Sequence, residues 1–512
     1  MDRPIAAIDL GTNSFHMVVA AVDATGGGYE VIAREKEMVR LGSGSDEMKR
    51  LEPAAIDRGI AALLRLTRVA AVHDADVYAV ATSAVREAAN ASEFIDRARS
   101  EAGVEVEVIA GVEEARLIHL GVLQALPVFD RRLVLIDIGG GSTEILVGQQ
   151  GETLAAGSLK LGAIRLTRRF FGSGALHPGA VDACRRHVRS RLAPMVHEVE
   201  RHGFDVAVAS SGTAETVAAV VNALRGAEPL RTWNGFTMTA DEIAAAVDAL
   251  VAADTVERRR QVPGVDANRA DIILGGAIVL EQAVRSLGIE ELVFSGNALR
   301  EGVLLDALSR RSGATLHHLR DLRRRSVLRL AESMDDDAAH SERTAAFALD
   351  LFDGTRTLHE LGDDSRELLE AGALLANVGL FVSHSEHHKH SYYVIRHSDR
   401  LAGFNDHEIE LIAQIARYHR KGAPKAKHPE FARLRPEDQA RVCVLAGLLR
   451  VAIALDRSHD GRVEAITVAL DGDDDVHVHL EGEGDLSLEL QTAEERRDLL
   501  EEMLQAGVHL HL

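Results

Sequence analysis

The sequence predicts a multidomain α/β protein: two related domains, each on a central sheet, then a helical domain and a small α+β domain. Three observations predict it. The segment IDLGTNSFHMVV (8–19) lines up with IDIGGGSTEILV (136–147), so one supersecondary unit occurs twice, with Asp9 and Asp137 in the same place. Strand and helix patterns alternate up to about residue 310, as α/β layers require. Helical periodicity then runs to about residue 459, and strand alternation returns over roughly 465–490. A chain of 512 residues is too long for one core, and the domains are expected at 1–130, 131–310, 311–460 and 461–512.

Each repeated segment reads apolar-Asp-apolar-Gly-x-x-Ser and then an apolar run. That pattern is a buried strand, a tight turn and a second strand, so each copy is a β-hairpin with an Asp at its mouth. Between the copies the pattern predicts a strand over 77–82, a helix over 92–102 and a strand over 104–110. A second pair follows, VAVASSGTA (206–214) and LVFSGNA (292–298), each a strand running through Ser-Gly-x-Ala into a helix. Such turns aim backbone N–H groups at whatever lies above them, which suits phosphate. Further on, 366–375 and 406–418 read as helices, and a last helix starts at Ala493.

Composition narrows the function. A net charge of −21, from 58 basic and 79 acidic side chains, argues against a non-specific nucleic-acid binder, although a local basic channel is still able to hold a polyanion. Cys184 and Cys443 stand far apart and outside any CxxC pattern, which fits a reducing compartment and supports neither a zinc site nor a disulfide framework. No leader-like segment or apolar run of transmembrane length occurs, so a cytoplasmic protein without membrane partners is expected.

Two Asp-bearing hairpins facing across a cleft make a phosphate site. Gly11, Thr12, Asn13 and Ser14, with Gly139, Gly140, Gly141, Ser142 and Thr143, let amides and hydroxyls approach phosphate oxygens. Asp9, Asp137 and Glu144 are hard oxygen ligands suited to Mg²⁺.

With these residues in view, the hairpins resemble the phosphate motifs of the actin, hexokinase and acetate-kinase superfamily. More narrowly, the chain resembles the exopolyphosphatase / guanosine-pentaphosphate phosphohydrolase family. The resemblance rests on AAIDLGTNSFHMVV, VYAVATSAVREAAN, AGVEEARLIHLGV, LVLIDIGGGSTEILVG, VASSGTAET and VFSGNALREGVL, spanning roughly residues 5–305. It continues more weakly through HKHSYYVIRHS (388–398) and ARYHRKGAPKAKH (416–428) of the family's long form. The resemblance implies a duplicated actin-like, ribonuclease H-like fold, Mg²⁺ with Mn²⁺ as substitute, room for a monovalent cation, and a homodimer. It implies that Glu114 is the catalytic base, Glu113 being the rival, since neighbours on a helix face different ways. It implies that Asp137 and Glu144 join the catalytic set, that Arg86 reaches the phosphates, and that Gly212 and Thr213 line the same cleft. For Arg86 the alternative is a surface ion pair with Glu87 or Asp96. For Asn297 and Arg300, cleft lining and structural capping stay open.

In the helical domain the family resembles metal-dependent HD phosphohydrolases. His340 and Asp456 match the outer ligands, but the doublet position reads Ala376-Asn377, so no second metal-dependent active site is expected. Cations gather at Arg417, Arg420, Lys421, Lys425 and Lys427, with no acidic residue between 416 and 428, and at His384, His387, His388, Lys389, His390, Arg396 and His397. No tetrahedral His spacing is convincing there. The expectation is a channel for a long phosphate chain, formed by His384, Lys389, His390, Arg420, Lys421 and Lys425.

The leading reading is therefore an exopolyphosphatase releasing orthophosphate. Hydrolysis of the terminal 5′-phosphate of guanosine pentaphosphate is the alternative, less favoured because aromatic residues make up only 4% of the chain, with a single Trp233. A small-molecule kinase on the same fold and a non-enzymatic alarmone sensor are the more distant readings.

Overall fold

The structure is a computed structural model, and it describes residues 3–22, 29–42, 49–172, 174–312, 322–398, 400, 401, 404, 406–420, 422–471 and 475–512. The chain divides into two compact units, Met1–Leu322 and Arg323–Leu512.

The N-terminal unit holds two sheets of like topology. In the first, β1 (Ile5–Leu10), β2 (Ser14–Val22), β3 (Tyr29–Met38), β4 (Asp76–Ala81) and β5 (Val106–Val108) lie in the order β3-β2-β1-β4-β5. In the second, β6 (Leu133–Ile138), β7 (Thr143–Gln149), β8 (Glu152–Leu159), β9 (Val206–Ser210), β10 (Thr237–Thr239) and β11 (Glu291–Phe294) lie in the order β10-β11-β9-β6-β7-β8. The repeat extends to register. Asp9 pairs with His16 across the antiparallel β1–β2 ladder, and Asp137 pairs with Glu144 across β6–β7.

Strand parity explains where the two aspartates point. Alternate side chains of a strand face opposite sides. Ile5 and Ala7 of β1, with Leu133 and Leu135 of β6, enter one shared core that also takes Leu117, Ile118, Val303 and Leu304. Their neighbours Ala6 and Ile8, and Val134 and Ile136, enter two separate outer cores. Asp9 and Asp137 share parity with the first set, so both stand at the mouth of the shared core. Helices Gly111–Leu123 and Leu299–Ser312 fill that core and cross at glycines. A Cβ at Gly302 would lie 1.7 Å from the Leu117 carbonyl oxygen, and one at Gly121 2.0 Å from that of Ala298.

In the C-terminal unit, helices Ala338–Gly354, Asp363–Leu374, His387–His397, Asp406–Arg417 and Pro436–Ala454 share one core with a small sheet. That sheet orders β12 (Val463–Asp471), β13 (Asp475–Gly482) and β14 (Gly507–His511), with β13 and β14 parallel. Here the expected pattern needs correction. Strand alternation was expected to continue to about 490, but Ser487–Glu494 is a helix, because Leu486, Glu489 and Ala493 are buried at helical spacing. The helix expected from Ala493 is instead Asp498–Leu504, and β14 follows it. Among the described residues no helix is long and apolar enough to cross a membrane.

Candidate active site

Four carboxylates meet where the two hairpins and the helix Gly111–Leu123 converge. Glu114, in that helix's first turn, is buried and accepts a hydrogen bond of 2.8 Å from Arg86 Nη1. The same nitrogen donates to the Ile109 carbonyl at 2.9 Å. Arg86 Nη2 lies 3.4 Å from Ser158 Oγ, whose hydroxyl donates to Glu144 Oε1 at 2.7 Å. Asp137 accepts from the Ser210 hydroxyl on neighbouring β9. Asp9 Oδ1 is buried with no hydrogen-bond partner.

These groups raise one another's proton affinity. Burial, then the charges of Glu114 and Asp137, push Asp9 up to about 8. Burial pushes Glu114 up to about 7, against the opposing pull of Arg86. Asp137 rises to about 6 through burial, offset by the Ser210 bond. Glu144 is raised well above the carboxylate range by burial, then by Glu114 and Asp137. A buried acidic set with a single guanidinium among it is suited to a hard cation. Among the described residues no three His, Cys, Asp or Glu side chains converge in ligating geometry.

The neighbours Glu113 and Glu114 face different ways. Glu113 is tied to Arg116 at 2.7 and 2.9 Å, and Arg116 also holds Asp306 at 2.6 Å, away from the carboxylate cluster. Arg86 pairs with neither Glu87 nor Asp96. Glu87 instead binds Arg165 at 2.9 Å and Lys160 at 2.6 Å.

Of the small hairpin residues, Thr12 and Gly140 bring the two turns together: a Cβ at Gly140 would sit 3.2 Å from that of Thr12. The Thr12 hydroxyl pairs with Ser83 at 2.9 Å, and Ser14 Oγ lies 2.7 Å from His16 Nε2. Gly11 and Gly139 tighten their turns, the latter through its N–H to the Ser142 carbonyl at 3.0 Å. Asn13 uses its carbonyl to hold Val39 and Arg40 N–H, and the Gly141 carbonyl accepts from Arg165 at 2.9 Å. Ser142 adds a hydroxyl bond to Glu144. Two expected phosphate donors are spent elsewhere, since Thr143 donates to the Leu161 carbonyl at 2.7 Å and Thr213 faces the Ile138 carbonyl at 3.2 Å. Gly212 makes room for a side chain: a Cβ there would lie 2.0 Å from Arg269 Nη2.

A basic wall, of which the sequence marked only Arg300 as a candidate, stands beside the acids. His16, Asp9's cross-strand partner, lies 3.2 Å from Arg300 Nη1 and pairs in register with Lys36 of β3. Burial and the charges of Arg300, Lys36 and Arg269 hold His16 down at about 3, so it is neutral. Arg300 also binds Glu301 at 2.6 Å and acts electrostatically on Asp9, so it lines the cleft, while the Asn297 carbonyl accepts the Ser295 hydroxyl. The hairpin repeat held a signal for His16, which occupies the position of Glu144 in the other copy.

The chain matches the Ppx/GppA phosphatase family over residues 18–311, and domain III of that family over residues 322–505. The chain belongs to the Ppx/GppA phosphatase family. In class it is a phosphoanhydride hydrolase, and its paired sheets are the actin-like fold. It is 30% identical over 468 residues to a guanosine-5′-triphosphate,3′-diphosphate pyrophosphatase of Photobacterium profundum, covering 89% of this chain and 87% of that one. It is similar to the solved structure of an exopolyphosphatase from Cytophaga hutchinsonii, with a TM-score of 0.56, 28% identity and coverage of 60% of this chain and 98% of that one. The Aquifex aeolicus Ppx/GppA family member gives a TM-score of 0.52 at 28% identity, covering 60% and 98% respectively.

In the C-terminal unit the expected outer ligand pair is closed on itself. Asp456 Oδ2 lies 2.7 Å from His340 Nδ1 and 2.8 Å from Arg343 Nη2. At the doublet position, the Ala376 carbonyl accepts the Ser391 hydroxyl at 2.7 Å. The basic runs are also less free than the sequence indicated. Arg417 is bound to Glu430 at 2.9 Å, Arg396 to Glu410 at 2.6 Å, and Lys389 to Glu386 at 2.5 Å. His384, Arg420 and Lys425 are exposed, His390 is half-buried, and Lys421 lies outside the described residues.

Proposed function

We propose that this chain hydrolyses the terminal phosphoanhydride of a linear polyphosphate, releasing orthophosphate, with Glu114 deprotonating the attacking water. The observation that carries this reading is the buried carboxylate set in which Glu114 alone is paired with a guanidinium. A base is most effective when its pKa lies near working pH, and burial brings Glu114 to about 7. Arg86 fixes its orientation and favours its charged, proton-accepting form.

Asp9, Asp137 and Glu144 would hold Mg²⁺, or Mn²⁺ in its place, and the cation would neutralise charge on the phosphoryl oxygens. Lys36, Arg269 and Arg300 present positive charge to the same substrate, and neutral His16 positions Arg300 and Ser14. Exposed Arg420 and Lys425 support binding of a long anionic chain by the helical unit.

A second reading, removal of the 5′-terminal phosphate of guanosine pentaphosphate, is favoured by the Photobacterium relative, whose similarity spans most of both chains. Both substrates end in the same phosphoanhydride, so one set of catalytic groups serves either. Phosphate release from each, with Mg²⁺ and beside Glu114→Gln, tests the proposal. Release from polyphosphate that the variant abolishes supports it, release confined to the nucleotide moves the assignment to the second reading, and release unaffected by the variant overturns Glu114 as base.

A further inference from the structure

An ion pair joins the two lobes of the N-terminal unit, one lobe built on each sheet, and the phosphohydrolase reading does not use it. Its members belong to two short helices. Glu87 caps the helix Ser83–Arg86, which follows β4 of the first sheet. Arg165 lies in the helix Ala163–Leu166, which follows β8 of the second. Arg165 Nη2 donates to Glu87 Oε1 at 2.9 Å, and Lys160 Nζ lies 2.6 Å from Oε2, so both carboxylate oxygens of Glu87 are held from the opposite lobe. The Glu87 and Arg165 side chains are 13% and 12% exposed, so water screens the pair little.

Each member is tied to a group of the candidate active site. Arg165 is fastened to the turn of the second hairpin, where its Nε donates to the Gly141 carbonyl at 2.9 Å. The Ala163 N–H donates to the Gly139 carbonyl at 2.9 Å, and the Ile164 N–H to that of Gly140 at 2.9 Å. Gly162 lets the turn lie against this helix, since a Cβ there would stand 2.2 Å from the Gly140 carbonyl oxygen. The same turn leads into Glu144. On the other side, Glu87 follows Arg86 in the chain, and Arg86 donates to Glu114 at 2.8 Å.

The second lobe therefore grips residues 86 and 87 at two points. One is Glu87, held from the hairpin turn through Arg165. The other is Arg86, which lies 3.4 Å from Ser158, the hydroxyl donor to Glu144. A hydrogen bond is lost beyond about 3.5 Å, so parting the lobes by roughly 1 Å breaks the Glu87–Arg165 contact. The end of the helix that carries Arg86 is then released.

We propose that Glu87 and Arg165 are positioning residues: with the lobes together, their ion pair sets Arg86, and Arg86 sets Glu114 toward the attacking water. The inference rests on Glu114 as the base. It makes the base complete only when both hairpin turns have closed on one substrate, as in enzymes whose closure assembles the catalytic set. Lysine at position 165 would keep the charge but lack the fork that reaches the Gly141 carbonyl and Glu87 at once.

The test is steady-state phosphate release by the full-length protein with Mg²⁺, on whichever of polyphosphate and guanosine pentaphosphate it turns over. Glu87→Gln, Arg165→Lys and the double variant are compared, alone and combined with Glu114→Gln. In each single variant kcat should fall about tenfold to a hundredfold, the order of loss that a 1 Å misplacement causes, with KM nearly unchanged. The double variant should be no slower than the slower single one, because residues that act as a unit are not additive. In the Glu114→Gln background neither substitution should slow the residual rate further. A lowered melting temperature with wild-type kcat in both single variants overturns the inference, since the pair would then serve stability alone. So does the same fold-loss in the Glu114→Gln background as in the wild type, which would show action independent of Glu114. If Glu87→Gln fails to fold, Arg165→Lys decides alone. Undiminished release by Glu114→Gln itself overturns the base reading and this inference with it, and it is told apart from failure of the pair because it appears with Glu87 and Arg165 intact.

Discussion

The two units each bury carboxylates, and they treat them in opposite ways. In the C-terminal unit Asp456 is closed: His340 and Arg343 share Oδ2, and the Gly461 N–H reaches Oδ1 at 3.1 Å. In the N-terminal unit Asp137 and Glu144 are buried and Asp9 is half-buried, yet hydroxyl groups are the described donors to the first two, and the buried Asp9 Oδ1 has no partner. Burying a charge is costly unless it is paired, and burying several like charges together is costlier. A closed carboxylate serves the architecture. An open cluster is kept because a ligand supplies the missing charge.

The largest effect expected from this comparison is catalytic. Glu114→Gln keeps the shape and removes the base, so the rate of phosphate release should fall by about 10²- to 10⁴-fold with folding intact. Next comes Asp456→Ala, which strands His340 and Arg343. It should cost about 3–5 kcal/mol of stability in denaturant unfolding, as breaking buried pairs does, and an unchanged midpoint would contradict the closed-pair description.

Asp9→Asn should do the reverse. Removing one like charge should raise the melting temperature of the metal-free protein while abolishing Mg²⁺-dependent activity. The same logic fixes the pH trend. Carboxyls whose pKa rises on folding bind their protons more tightly in the folded state. Their contribution to stability is therefore complete at acid pH and is lost as pH rises through about 6 to 8, where Asp137, Glu114 and Asp9 titrate. Without metal, melting temperature should fall between pH 5 and pH 8, and Mg²⁺ should restore more of it at pH 8. The smallest effect is a shift in a titration. Arg86→Gln removes the charge that favours ionised Glu114, so the acid limb of kcat/KM should move to higher pH.

What was legible in the sequence follows the same division. Asp9 and Asp137 were readable because a hairpin is local and its repetition marks it. The opposite facings of Glu113 and Glu114 follow from helix geometry, although only the fold shows which one turns inward. Lys36 and Arg269 reach the cleft from segments without motifs, and nothing local announces them. The basic runs were over-read because Glu410 and Glu430, which bind Arg396 and Arg417, lie outside the windows inspected. Ser487–Glu494 was misread because burial at Leu486, Glu489 and Ala493 is helical in period, while the preceding strands alternate.

The most direct test of the account is the pH dependence of kcat/KM for phosphate release from polyphosphate at saturating Mg²⁺, wild type beside Glu114→Gln. The account predicts an acid limb in the wild type and a small, pH-independent residual rate in the variant. A variant that retains both the rate and the acid limb would show that another group accepts the proton, and that the open carboxylate cluster does not act through Glu114.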